Sequence, residues 1–539
     1  MLLFNTSIRT TAQIVSPVNS DVHVASVVPQ KPWRDDITVN CDMLSVPGQQ
    51  LPLRVIVWDE GSCIDKVPPI NPPTVGNVHV YVEDPMGNAT TTSFQGAHPD
   101  VVLGDDPQNP GKQTYWMLIP FVDDNMEYKL QRLVIKNVGT PGLSVSTVGI
   151  SMALALPSGL PSGVFPLYDT YGLPHIDAWA EAPGTAPGGL CAVNRYVVTY
   201  DVASQVYYQT GSIATGSTSA GIWLDSGQHP DVAAQIDVKS GTAYAHFTYN
   251  LGTSPTTLGL GVREMPMGGG ASTFYYLTPY YAFYPRIEAM SRWDPLQKMA
   301  RWQVVTSETR PGQHHFQSYG YNNFHPNNNP PNNPYLSSLF PLNDHKSNAV
   351  AAGVGRSMGS GIGNVQYTAG YLSWDTNANT QNYMFVRSID GSTGIATAPY
   401  YQVNVNPIPG YPTYYEIDAS KGLALSSCSN SGNYILAAWY DGVSEIYEKL
   451  TPISNIQFRP TGIADPDSRT TQLYPNPAYS ELRLTTSGHY DIYGLDGRQL
   501  QSGDAEADHP IRIGQLPAGS YILRLQSASE TRAFPFVKP

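Results

Sequence analysis

The chain has 539 residues, a formal net charge of −13 and only 14% charged residues, with 48 Gly, 46 Pro and 35 Tyr. This balance excludes a helix bundle or coiled coil, and 41% hydrophobic with 11% aromatic residues excludes a disordered chain, because that is enough to build a core. An acidic chain without a Lys/Arg run offers no face to a nucleic acid, and no apolar stretch reaches the roughly 18–20 residues of a spanning helix.

The start, Met1-Leu2-Leu3-Phe4-Asn5-Thr6-Ser7-Ile8, lacks a basic n-region and an adequate apolar run; Thr10-Thr11-Ala12-Gln13 reads as the end of a signal peptide whose front is missing. Four cysteines (Cys41, Cys63, Cys191, Cys428) do not make a disulfide scaffold in so long a chain. Cys41 and Cys63 fall on two nearby predicted strands, which makes them the pair expected to bridge; four buried thiols is the other reading.

From here a phrase of the form His/Glu-x-Asp-apolar-Ala recurs. His98-Pro99-Asp100-Val101, His175-Ile176-Asp177-Ala178 and His229-Pro230-Asp231-Val232-Ala233 are full copies. Arg286-Ile287-Glu288-Ala289 and Glu416-Ile417-Asp418-Ala419 carry acidic substitutions, while Asp21-Val22-His23-Val24-Ala25 and Ser347-Asn348-Ala349-Val350-Ala351 are degenerate. The anchors His23, Asp100, Asp177, Asp231, Glu288, Asn348 and Asp418 lie about 54 to 77 residues apart, slightly more than the about 40–50 of a propeller blade. A turn and an aromatic-rich strand follow most of them: Thr114–Pro120 after Asp100, Thr242–Tyr249 after Asp231, Tyr434–Tyr440 after Asp418. Three to four short strands repeated seven times predict an all-β fold, a seven-bladed β-propeller over 1–458, and this part resembles propeller repeat proteins. A six-bladed ring or two stacked sandwiches remain as alternatives.

In a propeller the acids Asp100, Asp177, Asp231, Glu288 and Asp418 would begin the innermost strands, near one mouth of the channel. One reading has each carboxylate accept backbone N–H bonds from a neighbouring blade. The other makes them a ring that binds a hard cation or a sugar, or supplies acid and base for glycoside cleavage. Asp105-Asp106-Pro107 and Val122-Asp123-Asp124-Asn125 are acidic turns without the EF-hand spacing, so no cofactor is expected, calcium being the one such turns would admit. Gly259-Leu260-Gly261 lacks the third glycine and the helix of a dinucleotide loop.

Gln313-His314-His315-Phe316 and His325 lie beside the Asn- and Pro-rich run 322–334, which predicts a long loop. Its Tyr319, Tyr321 and Phe324 are of the kind that stack on sugars or anchor interfaces. No fourth ligand completes a zinc set with the histidines. Gly355-Arg356-Ser357-Met358-Gly359 matches G-x-S-x-G, but a nucleophile elbow needs a following helix and a glycine-rich loop follows instead.

Residues 459–471 are polar, with two prolines and no apolar periodicity, and read as a linker. Beyond them Leu482-Arg483-Leu484, Tyr490-Asp491-Ile492-Tyr493, Ile511-Arg512-Ile513, Tyr521–Leu525 and Phe534–Lys538 alternate apolar and polar, as in a small two-sheet sandwich of the Ig-like kind over 472–539. Four motifs stand in order there: Leu473-Tyr474-Pro475-Asn476-Pro477, Ile492-Tyr493-Gly494-Leu495-Asp496-Gly497-Arg498, Leu516-Pro517-Ala518-Gly519-Ser520-Tyr521, and a terminal Val537-Lys538. Together they resemble the type A C-terminal sorting domain of the type IX secretion system of Bacteroidetes. The resemblance implies passage through the periplasm and across the outer membrane by that machinery, removal of the tail by a surface sortase, and release or attachment at the cell surface. It leaves the cargo open among three expectations: a binding module for a glycan or surface protein, a polysaccharide hydrolase or lyase with carboxylates at the propeller mouth, and a structural or adhesin component.

Overall fold

The computed structural model describes residues 14–15, 21–27, 37–61, 75–105, 113–154 (without 126 and 150), 174–179, 195–251 (without 203, 213–216 and 238), 259–289, 292–293, 301–310, 313–321, 335–338, 353–358, 365–373, 383–390, 400–403, 423–427, 434–441, 444–452, 473–474, 479–484, 487–494, 498–507, 509–526 and 531–538. The chain divides into two compact units, Met1–Phe458 and Arg459–Pro539. Both are all-β, and no helix occurs among the described residues.

The large unit is a succession of antiparallel meanders. The first runs Val39–Leu44, Leu53–Asp59, Asn77–Glu83, Ala89–Gln95, in that spatial order. Its residues show why each strand stands where it does. Leu53–Asp59 is apolar almost throughout and buried at every position; Asn77–Glu83 alternates buried valines with polar side chains; the threonine-rich Ala89–Gln95 is half exposed. Burial on both faces asks for a continuous apolar run, and a sheet edge in water asks for polar β-formers.

The second meander starts at Val102–Asp105 and runs through Thr114–Val122 and Tyr128–Lys136 to Ser144–Thr147. A nine-stranded sheet follows, from His175–Trp179 to Thr273–Thr278. Its long strand Ile222–Asp237 serves two sets of partners. Residues 222–226 pair with Gln205–Ser212, and 227–236 pair with Ala243–Leu251, across a register shift at 228–231. Two four-stranded meanders, beginning at Tyr281–Ala289 and Gly353–Met358, and a three-stranded one beginning at Leu423–Ser427 complete the unit. Ile14–Val15 adds a parallel strand to the second of these, and Val22–Ser26 pairs antiparallel with Glu445–Pro452 on the outer edge of the third.

The core is a series of apolar layers between successive sheets. Val55, Val57, Val80 and Val82 of the first sheet pack on Met117, Ile119, Leu133 and Ile135 of the second. Leu118, Leu130 and Val134 of the second pack on Tyr196, Val198 and Tyr200. Val39, Cys41 and Ile56 of the first pack on Leu436, Ala438 and Trp439 of the last. The initial strands are neighbours in chain order, from Val39–Leu44 to Leu423–Ser427, and Leu423–Ser427 in turn lies against Val39–Leu44.

Three expectations need correction. Cys41 is a free thiol, not half of a bridge to Cys63. Its Sγ points away from its own sheet to the Leu436 carbonyl at 3.8 Å, within the apolar layer between first and last sheets; Cys63 lies outside the described residues. His23 is no innermost anchor, because Val22–Ser26 is an edge strand. Gln313–Tyr321 is a strand rather than part of a loop, hydrogen-bonded along its whole length to Trp302–Arg310. The polarity of Gln313, His314 and His315 mimicked a loop, whereas Phe316, Tyr319 and Tyr321 carry the β preference.

The smaller unit pairs Leu473–Tyr474, Glu481–Leu484 and Ile511–Arg512 in one sheet; Gln499–Ala505, Gly488–Gly494, Gly519–Gln526 and Thr531–Lys538 form the other. Leu482, Leu484 and Ile511 of the first share one core with Ile492, Leu523, Leu525 and Phe536 of the second.

Candidate functional site

The recurrent acids stand at the initial strands and do one job. In Asp100, Asp177 and Asp231 one carboxylate oxygen accepts the next residue's amide and the other accepts an amide of the following initial strand. Asp100 takes Val101 N–H at 2.8 Å and Ile176 N–H at 2.9 Å. Asp177 takes Ala178 N–H at 2.7 Å and Ala234 N–H at 2.7 Å. Asp231 takes Val232 N–H at 2.8 Å and Ile287 N–H at 2.8 Å. Glu288 accepts the Ala289 amide at 3.0 Å. Asp418 lies outside the described residues.

Sequence reasoning missed the first member of the series, Asp42. It accepts Met43 N–H at 2.8 Å and Leu103 N–H at 2.7 Å, and Ser426 Oγ of the last sheet donates to it at 3.0 Å. Burial drives its pKa up to about 7; the three donors pull the other way without prevailing. Asn40-Cys41-Asp42 carries no histidine two residues before the acid, the signal on which the other copies were found.

That histidine is itself structural. His98 and His229 adopt left-handed backbone, φ 53° and 51°, immediately before Pro99 and Pro230. This is a strained conformation for a non-glycine residue and persists only when its surroundings hold it. At His98 they do: its N–H donates to Asp59 Oδ2 at 2.7 Å, its Nδ1 lies 2.9 Å from Thr38 Oγ1, and the ring is 1% exposed. Proline removes a ladder donor at the irregularity, and the chain re-aims so that the following aspartate meets the next sheet.

The structure brings two of the predicted acids together around a third residue. His175 Nδ1 lies 3.1 Å from Asp100 Oδ2 and 3.6 Å from Asp231 Oδ1. The Arg286 guanidinium rests on the same ring, Nη1 2.6 Å from Nε2. Arg286 occupies the position that histidine holds in the other copies, two before the acid. The cluster is a closed polar knot: His175 is buried, and the carboxylates spend oxygens on backbone amides as well.

The aromatic candidates part company. Tyr319 is 3% exposed and packs with Trp302 and Val304, so it belongs to the core and presents nothing to a ligand. Tyr321 ends the same strand opposite Trp302, and Phe324 lies outside the described residues. Ser357 of the G-x-S-x-G match sits within Gly353–Met358, paired with Gln366.

In the smaller unit the motif residues Gly519, Tyr521 and Lys538 meet at one turn. Gly519 stands opposite Lys538 in the ladder. The Lys538 ammonium donates to the Gly514 carbonyl at 2.9 Å and also to the Leu516 carbonyl. Tyr521 stacks on Phe536 with centroids 5.3 Å apart and donates its hydroxyl to the Pro517 carbonyl at 2.5 Å. Tyr474 pairs with Arg483, and the Arg498 carbonyl accepts from Gly494 N–H at 3.0 Å. Pro475, Asn476, Pro477, Asp496 and Gly497 lie outside the described residues.

None of the curated proteins matches the chain. Among solved structures, a polysaccharide lyase, Uly1, is similar over 76% of this chain and 89% of its own at 9% identity and a TM-score of 0.37. AofleA from Arthrobotrys oligospora is similar over 77% and 91% at 9% identity and a TM-score of 0.35. The Dos1 propeller is similar over 73% and 75% at 11% identity and a TM-score of 0.33. At such scores these likenesses carry no argument about this chain. The tail is a different matter, because residues 472–537 match the family model of the secretion system C-terminal sorting domain. The protein is thus a secreted or cell-surface protein that carries, over residues 472–537, a type IX secretion C-terminal sorting domain, through which it engages that machinery.

Proposed function

We propose that the large unit is a seven-bladed β-propeller that works outside the cell as a glycan-binding module, with an Ig-like sandwich as its export tail. The neighbour relation of the seven initial strands supports the propeller, as does the apolar layer shared by the first and last sheets. In this reading Ile222–Asp237 is at once the outer strand of one blade and the inner strand of the next. Val22–Ser26 completes the last blade from the other end of the chain, a clasp that protects an edge otherwise open to pairing.

One observation carries the choice of binding over hydrolysis. The carboxylates of Asp42, Asp100, Asp177 and Asp231 each bond the amide of the next residue and one of the following initial strand. A glycosidase needs two carboxyls facing a sugar about 5–9 Å apart, and carboxylates committed to amides are latches instead. The test incubates the purified chain with insoluble and soluble polysaccharides and measures both retention and new reducing ends. Retention without cleavage is expected. Reducing or unsaturated ends above a protein-free blank would overturn the reading in favour of an enzyme.

A further inference from the structure

At its outer corner the nine-stranded sheet presents two aromatic rings. Phe274 and Tyr276, on the edge strand Thr273–Thr278, are 39% and 53% exposed. They stand opposite Arg263 and Gly261 in register, so both point to one face. Glycines lie beneath them: a Cβ at Gly261 would come within 2.5 Å of the Phe274 ring, and one at Gly259 within 2.8 Å of Tyr276. The rings therefore lean onto bare backbone, with the Arg263 guanidinium over the Phe274 ring and the Tyr276 side chain the more exposed of the two. Residues two apart on a strand are about 7 Å apart, a spacing on the scale of a sugar ring.

A polar edge borders the platform. The Arg263 guanidinium lies 5.4 Å from the Phe274 centroid, its Nε donates to Tyr249 OH at 3.2 Å and its Nη2 to Asp225 Oδ2. Tyr249 OH donates to the same carboxylate oxygen at 2.8 Å. Burial works against the Asp225 charge, but Arg263, Tyr249 and the Ser226 amide outweigh it and hold its carboxyl below the usual range. Ile222, 43% exposed, adds an apolar side chain: it pairs with Tyr208, whose ring packs in the same layer as Phe247 and Tyr249. Trp223 is also exposed, at 56%, but pairs with Tyr207, which packs into the layer on the opposite side.

We propose that this corner is a subsite for an uncharged oligosaccharide, with Phe274 and Tyr276 stacking on the apolar faces of successive sugar rings and Arg263 and Asp225 bonding the hydroxyls at their rims. Amphipathic rings on a flat aromatic platform need this combination of an exposed π face and fixed donors and acceptors. The paired Arg263 and Asp225 cancel in charge, and the chain's net charge of −13 disfavours uronate or sulfated polymers. The inference rests on the glycan-binding reading and assigns it a place.

The test titrates the full chain with cellohexaose, xylohexaose, mannohexaose and polygalacturonate, following binding by calorimetry. Wild-type protein is expected to bind at least one neutral hexasaccharide and to ignore polygalacturonate. Phe274→Ala and Tyr276→Ala are expected to weaken that binding on the order of tenfold each, with a cooperative thermal transition retained in both variants to show that they are folded. Trp223→Ala, on the other side, should bind as wild type does. If wild-type protein binds none of the four probes, both this site and the glycan-binding reading fall. If it binds one and the folded Phe274→Ala and Tyr276→Ala variants bind equally well, this site alone falls. Preference for polygalacturonate would overturn the assignment to an uncharged ligand.

Discussion

At the scale of the residue, this protein solves a repeated problem in a repeated way. A sheet that must sit beside another needs a polar link that survives burial, and an aspartate with two amides on its two oxygens supplies one. Asp231 shows how much depends on it, being 8% exposed and holding both Val232 and Ile287. Asp231→Ala strands two buried amides and is expected to cost about 3 kcal/mol. Asp231→Asn keeps one acceptor oxygen and should cost less. Chemical denaturation of the two variants checks this, and equal losses would count against the two-amide latch. The His-Pro-Asp spelling of the latch was readable in the sequence because strain and function coincide: a left-handed residue, a missing donor and a short acid must come in that order. Asp42 escaped because it reaches its place from a strand without the left-handed turn, so nothing marks it except its neighbours in space.

At the scale of the element, strands were legible where apolar and aromatic residues run together. Ala243–Leu251 and Tyr434–Tyr440 announce themselves by aromatic and aliphatic runs bounded by turns. Gln313–Tyr321 does not, since its polar first half looks like the Asn- and Pro-rich stretch after it. Elements far apart in sequence are also tied by charge. Arg54 on the first sheet lies 2.5 Å from Glu83 and 3.3 Å from Glu448 of the last, and Glu448 is 1% exposed. Burial raises the Glu448 carboxyl to about 7; Arg54 lowers it and Glu83 raises it further. In the unfolded chain the same group titrates near about 4.3. The fold thus favours the protonated form, and this contribution to stability is full below about pH 4.3 and disappears as pH rises through about 7. Glu448→Gln, always neutral, should gain stability relative to wild type between pH 5 and pH 8. Unfolding free energies of both proteins at the two pH values decide it: a constant difference would mean that Glu448 is ionised throughout.

At the scale of the whole molecule, two units answer two different needs, and the smaller one is an address. Two of its motif residues are structural in detail: Lys538 and Tyr521 hold the 514–519 turn by its carbonyls. A chain without residues 472–539 is expected to stop in the periplasm. Those residues fused to an unrelated periplasmic reporter should carry it to the surface or the medium. Cell fractionation with antibodies to each cargo reads both results, and export of the truncated chain would show that the address lies elsewhere.

The sequence alone determined the class and the destination: Gly and Pro punctuation with alternating aromatics admits only sheets, and the four tail motifs stand in one order within the last part of the chain. Local chemistry dictates both, so both are written in consecutive residues. The partners in space were decided by the tertiary structure. Cys41 could meet a sulfur or a carbonyl, Tyr319 could face solvent or core, and the recurrent carboxylates could gather an ion or hold amides. Strand periodicity states that a side chain has a face and does not state what lies across from it. Here the next initial strand lay across from the acids, and bare glycine backbone lay beneath the rings of Phe274 and Tyr276.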